Sequence, residues 1–182
     1  MLTIAAIAGW IALPIAILRF QIRGLTPLLA CNGAAGALMA LHYGLSGLHA
    51  GAAMAATAAA AAWLQLAIGG RISLKGRFAI AIPAIVFCFY LAGTTASGWV
   101  GLLPVLAFTI GRIAETSRDD FWVRVISLCS TSAWLIYLAI EWSVPGLAFE
   151  IIGLSSNLLG LVRFHRSRVA ALIRKRSTLD ER

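Results

Sequence analysis

Glu150 is the one carboxylate that the sequence places within a long apolar run. An ionised carboxylate in hydrocarbon costs a few kcal/mol, so such a group normally turns to the interior of a helix bundle and marks a substrate or proton path. The alternative is a residue about one turn from the outer interface, able to reach headgroups or water. Asn157, preceded by Ser155 and Ser156, follows two helical turns later on nearly the same face. With Gly153 and Gly160 that face is a polar stripe of little bulk, suited to a cavity and equally to interhelical hydrogen bonds of about 1 kcal/mol or less each. Asn32 and Ser130 occupy matching places in the second and sixth runs. Together with Trp134 and Tyr137 they would supply aromatic and hydrogen-bonding surface to a central pocket for a small polar solute.

His42 and Glu141, with His49 nearby, lie at the outer ends of their runs and could form a pH-responsive outer gate. A histidine at a membrane edge is more often a solvated or capping residue. No HExxH, GxSxG, P-loop or paired-carboxylate arrangement is present, so neither an enzyme nor a metal or cofactor site is expected. Cys31, Cys88 and Cys129 fall in three different runs without metal-ligand spacing and are expected to be packing residues.

The elements that must hold these residues are membrane helices. The chain of 182 residues is 60% hydrophobic and 12% charged, with a mean hydropathy of +0.89, whereas soluble domains are about a quarter charged. A span needs roughly 20 apolar residues. The runs are Leu2 to Leu18, Leu25 to Tyr43, Leu48 to Ile68, Phe78 to Ala96, Trp99 to Ile113, Phe121 to Ile140 and Gly146 to Val162.

All 15 basic residues follow alternate turns: Arg19 and Arg23, then Arg71, Lys75 and Arg77, then Arg112, Arg118 and Arg124, and last the tail from Arg163 to Arg182. The intervening gaps hold none. By the positive-inside rule the N-terminus is outside and the C-terminus cytoplasmic. Topology and anionic lipid headgroups account for the net charge of +8, so nucleic acid is not an expected partner. The first run lacks a basic residue before it, which marks a retained helix and not a cleaved signal. The tail, 164–182, is expected to continue the seventh helix along the inner leaflet and to fray beyond Arg176.

An odd number of spans permits two three-helix units of the same orientation joined by one crossing helix. The expected single membrane domain, 1–182, is thus a 3+1+3 array: a first bundle over 2–68, a linker helix over 78–96 and a second bundle over 99–163. Cys31-Asn32 pairs with Cys129-Ser130, and Thr57 with Asn157, at nearly the same offset. Ala52 to Ala62 is almost all alanine, and Gly47 and Gly51 have GxxxG spacing. Such small residues allow close packing within the first bundle or, alternatively, a homo-oligomer seam.

The stretch from Leu102 to Phe164, with LLPV and then CSTSAWLIYLAIEWSVPGLAFEIIGLSSNLLGLVRF, resembles the YgjV family of bacterial inner-membrane proteins. The resemblance continues through His42-Tyr43 and Ala50-Gly51. More distantly, Trp134, Tyr137 and Leu159-Gly160-Leu161-Val162 look like the second bundle of SWEET and PQ-loop carriers, although the Pro-Gln pair of the latter is absent. The resemblance implies a multi-pass protein of the bacterial inner membrane and a SWEET-like carrier of small solutes. A non-transporting scaffold or assembly partner of another membrane protein is the competing expectation.

Overall fold

In a computed structural model the described residues are 3–68, 72–95, 98–117 and 119–180, with side chains described as far as Ala170 apart from that of Thr95. Leu2, Arg71, Ala96, Arg118 and Arg182 lie outside the described residues, as do the side chains of Arg174, Lys175 and Arg176. Among the described residues, seven helices are long and apolar enough to cross a membrane. They are α1 (Ile4–Gln21), α2 (Leu25–Leu45), α3 (His49–Ile68), α4 (Leu74–Thr95), α5 (Leu102–Thr116, entered through a 3-10 turn at Trp99–Gly101), α6 (Asp120–Ile140) and α7 (Val144–Asp180). No strand occurs among the described residues.

Local chemistry sets the helix limits. Thr3 Oγ1 accepts from the Ala6 amide at 3.3 Å to start α1, and the Asp119 carboxylate accepts from the Phe121 amide at 3.1 Å to start α6. The α2–α3 and α6–α7 turns both close as Schellman motifs. Leu48 donates its amide to the Tyr43 carbonyl at 2.9 Å, and Ser143 donates to Leu138 at 3.1 Å. The left-handed residue is Gly47 (φ 80) in the first turn and Trp142 (φ 51) in the second. Gly47 therefore precedes α3, and the Gly47–Gly51 spacing is not a face of one helix. Gly51 is instead buried against Tyr137.

The spans recur. Ile4–Gln21, Leu25–Leu45 and the start of α3 at His49 reappear as Trp99–Thr116, Asp120–Ile140 and Val144, each 95 residues later. This register pairs Asn32 with Ser127 and Asn157 with Ala62, a few residues away from the pairing by residue type. In so alanine-rich a sequence, residue type is a poor guide; the turns fix the register.

α1 packs between α2 and α7, α2 packs on α3, and α6 lies against both α5 and α7. α3 touches α5 directly, with α4 laid against both. α1 and α7 run in the same direction, since Gly9 meets Pro145 near one end and Gly160 meets the Phe20 carbonyl near the other. Ala12, Ala16, Ala35, Ala55, Ala59 and Ala62 are buried, so the helices approach through small side chains, as association in lipid requires. α4 leaves Val86, Phe87, Phe89 and Tyr90 on its outside.

α7 has 37 residues, about 55 Å at 1.5 Å per residue, far more than a hydrocarbon core of about 30 Å. It stays helical through Asp180 where fraying was expected, but its backbone breaks at His165 (φ −132, ψ 26). Beyond the break Arg168 pairs with Asp119 at 2.7 Å and lies over the Phe121 ring, while His165 Nε2 lies 3.2 Å from Asp120. The described part of the tail is thus tied to the start of α6.

Candidate functional site

A cavity of about 110 Å³ lies within the bundle. α2 lines it with Asn32, Gly36, Met39 and Tyr43, at the spacing of one helical face. α6 does the same with Ser127, Ser130, Thr131 and Trp134, and Trp134 stacks on Tyr43 with ring centroids 5.9 Å apart. Ala55 of α3 and Gly36 let the two backbones approach closely, because a Cβ on Gly36 would stand 3.2 Å from the Ala55 carbonyl.

Two arginines and two glutamates line this space: Arg19, Arg112, Glu115 and Glu150. Arg19 starts near the end of α1, and its side chain runs back towards the middle of the bundle, as helical side chains do. It passes the bare backbone of Gly153 to bring NH2 within 3.9 Å of Glu150 Oε2. That distance gives Coulomb attraction without a hydrogen bond. The guanidinium also lies over Phe20 and Phe149, at 4.6 and 5.0 Å. The second pair is tighter: Arg112 meets both oxygens of Glu115 at 2.7 Å, and Asn32 Nδ2 donates to Glu115 Oε1 at 3.1 Å. Such a fork fixes both groups. Arg19 Nε, Arg112 Nε and Asn32 Oδ1 remain buried without a hydrogen-bond partner.

Of the residues singled out from the sequence, Glu150, Asn32, Ser130 and Trp134 all line the cavity. Ser130 Oγ donates to the Ala107 carbonyl at 2.7 Å, which leaves its oxygen free to accept. Tyr137 stands one layer away, edge-on to Trp134 at 5.9 Å. Asn157 is not at the cavity: it is 1% exposed and donates to the Arg124 carbonyl at 2.9 Å, so it ties α7 to α6.

The pair proposed as an outer gate is not assembled as one. His42 is buried, with Nδ1 2.8 Å from the Ala5 carbonyl and Nε2 3.0 Å from Ser143 Oγ, while Glu141 is exposed at the end of α6. Both ring nitrogens are used to pack α2 against α1 and the α6–α7 turn.

Glu150 is not the only carboxylate inside a span. α5 runs to Thr116, beyond the expected Ile113, and takes Glu115 into the core at 3% exposure. Arg112 and Glu115, three apart on a helix, carried the signal for this pairing, and Arg19 carried none beyond topology. No group of three or more His, Cys, Asp or Glu able to hold a metal ion occurs among the described residues.

No characterised protein and no solved structure gives a match to the chain. A family model described as a bacterial inner membrane protein matches residues 3–168. With seven apolar helices along nearly the same stretch, the chain belongs to the Imp-YgjV family and is a multi-pass protein of the bacterial inner membrane.

Proposed function

We propose that this protein passes a small polar solute across the inner membrane, with the cavity as the binding site between two three-helix halves, α1–α3 and α5–α7. α4 links the halves in a 3+1+3 plan, and the basic ends of the helices face the cytoplasm together with the C-terminus. The observation that carries this reading is the convergence of Arg19, Arg112, Glu115 and Glu150 on one space inside a membrane bundle. Burying charges is costly even when they are paired, and a well-packed apolar core would serve structure better. A scaffold role gives no account of that expense. Rocking of one half on the other would expose the cavity to each side in turn, with no chemical step.

The test is re-swelling of proteoliposomes after hyperosmotic shock with a panel of small polar solutes, followed by light scattering. At least one solute should enter faster than into protein-free vesicles, and Glu150→Gln should slow it at least about tenfold, equivalent to 1.4 kcal/mol. Equal rates with and without protein across the panel would reject the carrier.

A further inference from the structure

Building on the site just proposed, we infer that its solute is a small zwitterion carrying one carboxylate and one ammonium, of glycine size. Three observations converge on this class, and the first is volume. A cavity of about 150 Å³ holds the six carbons of benzene, so the 110 Å³ here holds about four or five heavy atoms. A hexose does not fit.

The second is charge balance. The cavity has two guanidiniums and two carboxylates, a formal sum of zero. Adding an anion or a cation would leave one charge uncompensated in a low-dielectric interior, whereas a zwitterion adds none. A non-ionic solute would be served by hydroxyls and amides alone and gives no reason to bury two arginines and two glutamates.

The third is the set of polar atoms on lining residues that are buried without a hydrogen-bond partner. Arg19 Nε and Arg112 Nε are donors without acceptors, matched to a ligand carboxylate. Asn32 Oδ1 is an acceptor without a donor, and Glu150, hydrogen-bonded to Thr131 and 3.9 Å from Arg19, keeps further lone pairs to accept with. These two acceptors suit a ligand ammonium, and the Trp134 ring in the same wall adds a favourable face for a cation.

The experiment measures binding of labelled glycine, acetate, ethylammonium and acetamide to the full chain in nanodiscs, by scintillation proximity, alongside flux of the same four into proteoliposomes. Glycine should bind at least about tenfold tighter than each of the others. Glu150→Gln should abolish that preference, as should Ser127→Ala combined with Asn32→Ala if Glu150→Gln does not fold. Asn157→Ala, outside the cavity, should leave the preference unchanged in whatever fraction folds. Acetate, ethylammonium or acetamide binding as tightly as glycine, or moving when glycine does not, would overturn the zwitterion and leave the carrier standing. Glycine that binds selectively but does not move would uphold the ligand class and overturn the carrier. Failure of all four to bind would overturn the ligand class, with the carrier decided by the wider re-swelling panel.

Discussion

The helix limits of α1, α2 and the start of α3 recur 95 residues later with very different side chains. At the 95-residue register, five equivalent pairs line the cavity together: Phe20 with Glu115, Asn32 with Ser127, Gly36 with Thr131, Met39 with Trp134, and Ala55 with Glu150. In four of the five the first half supplies a small or apolar residue and the second half a hydrogen-bonding one. At the helix ends, by contrast, donors are exchanged. The Phe20 and Ile22 carbonyls at the end of α1 accept from Arg124 at 2.7 and 2.9 Å. The equivalent Glu115 and Ser117 carbonyls accept from Gln65 and, at 3.5 Å, from Arg77. Last-turn carbonyls need donors, and each half receives them from outside itself. At these positions α1–α3 contribute mainly small or apolar side chains, while Arg19 and Asn32 add polar groups of their own, and donors from other helices cap both α1 and α5.

Removing the stronger cap should have the largest effect on stability. Arg124 is fully buried and also pairs with Asp120 at 3.1 Å, so Arg124→Ala should cost about 3–5 kcal/mol, measured by equilibrium unfolding in mixed micelles. A loss no larger than that of Gln65→Ala would erase the contrast between the two caps. Next is Gly160, whose Cβ would strike the Phe20 carbonyl and the Arg124 guanidinium. Gly160→Ala should destabilise by about 1–3 kcal/mol through overpacking, and a neutral result would mean that α1 and α7 are not locked at this crossing.

The two Schellman turns allow a finer test. Trp142 sits at φ 51 where the equivalent turn has Gly47 at φ 80. Trp142→Gly should gain about 1 kcal/mol and Gly47→Ala should lose a similar amount, read as opposite shifts in thermal midpoint. Changes of the same sign would show that the turns do not share a geometry.

The smallest effect lies at the tail, which the first half lacks. The hydrogen bond from Arg168 holds the Asp119 carboxyl below its usual range. A folded value below the unfolded one, about 3.9, means that the pair stabilises the tail above that pH and loses its contribution as pH falls through the folded value. Hydrogen exchange around His165 should therefore rise on acidification below about pH 4, and Asp119→Asn should remove the dependence.

Much of this protein was legible in its sequence. Apolar runs of about 20 residues can only be satisfied in lipid as helices, so the first six spans lie within a few residues of where hydropathy puts them and the seventh starts there, and Asn32, Ser130, Trp134 and Glu150 do meet at one cavity. What hydropathy could not supply was depth and direction for long charged side chains. Arg19 and Arg112 look like loop charges because they stand near helix ends, yet their side chains reach back into the bundle; Glu115 looks like loop because the apolar run stops before the helix does. Asn157 and His42 differ for the opposite reason. Each looks available along the chain, but the Arg124 carbonyl takes the Asn157 amide, and the Ala5 carbonyl and Ser143 take the two ring nitrogens of His42.

The sequence by itself determined that the chain crosses the membrane and where, since hydrophobic length and charge at helix ends are local properties. Only the tertiary structure decided the 95-residue register, the reciprocal caps and the pairing of Arg19 with Glu150 and of Arg112 with Glu115. Those depend on which helix faces which, and in lipid that is set by the fit of small residues and polar atoms across interfaces.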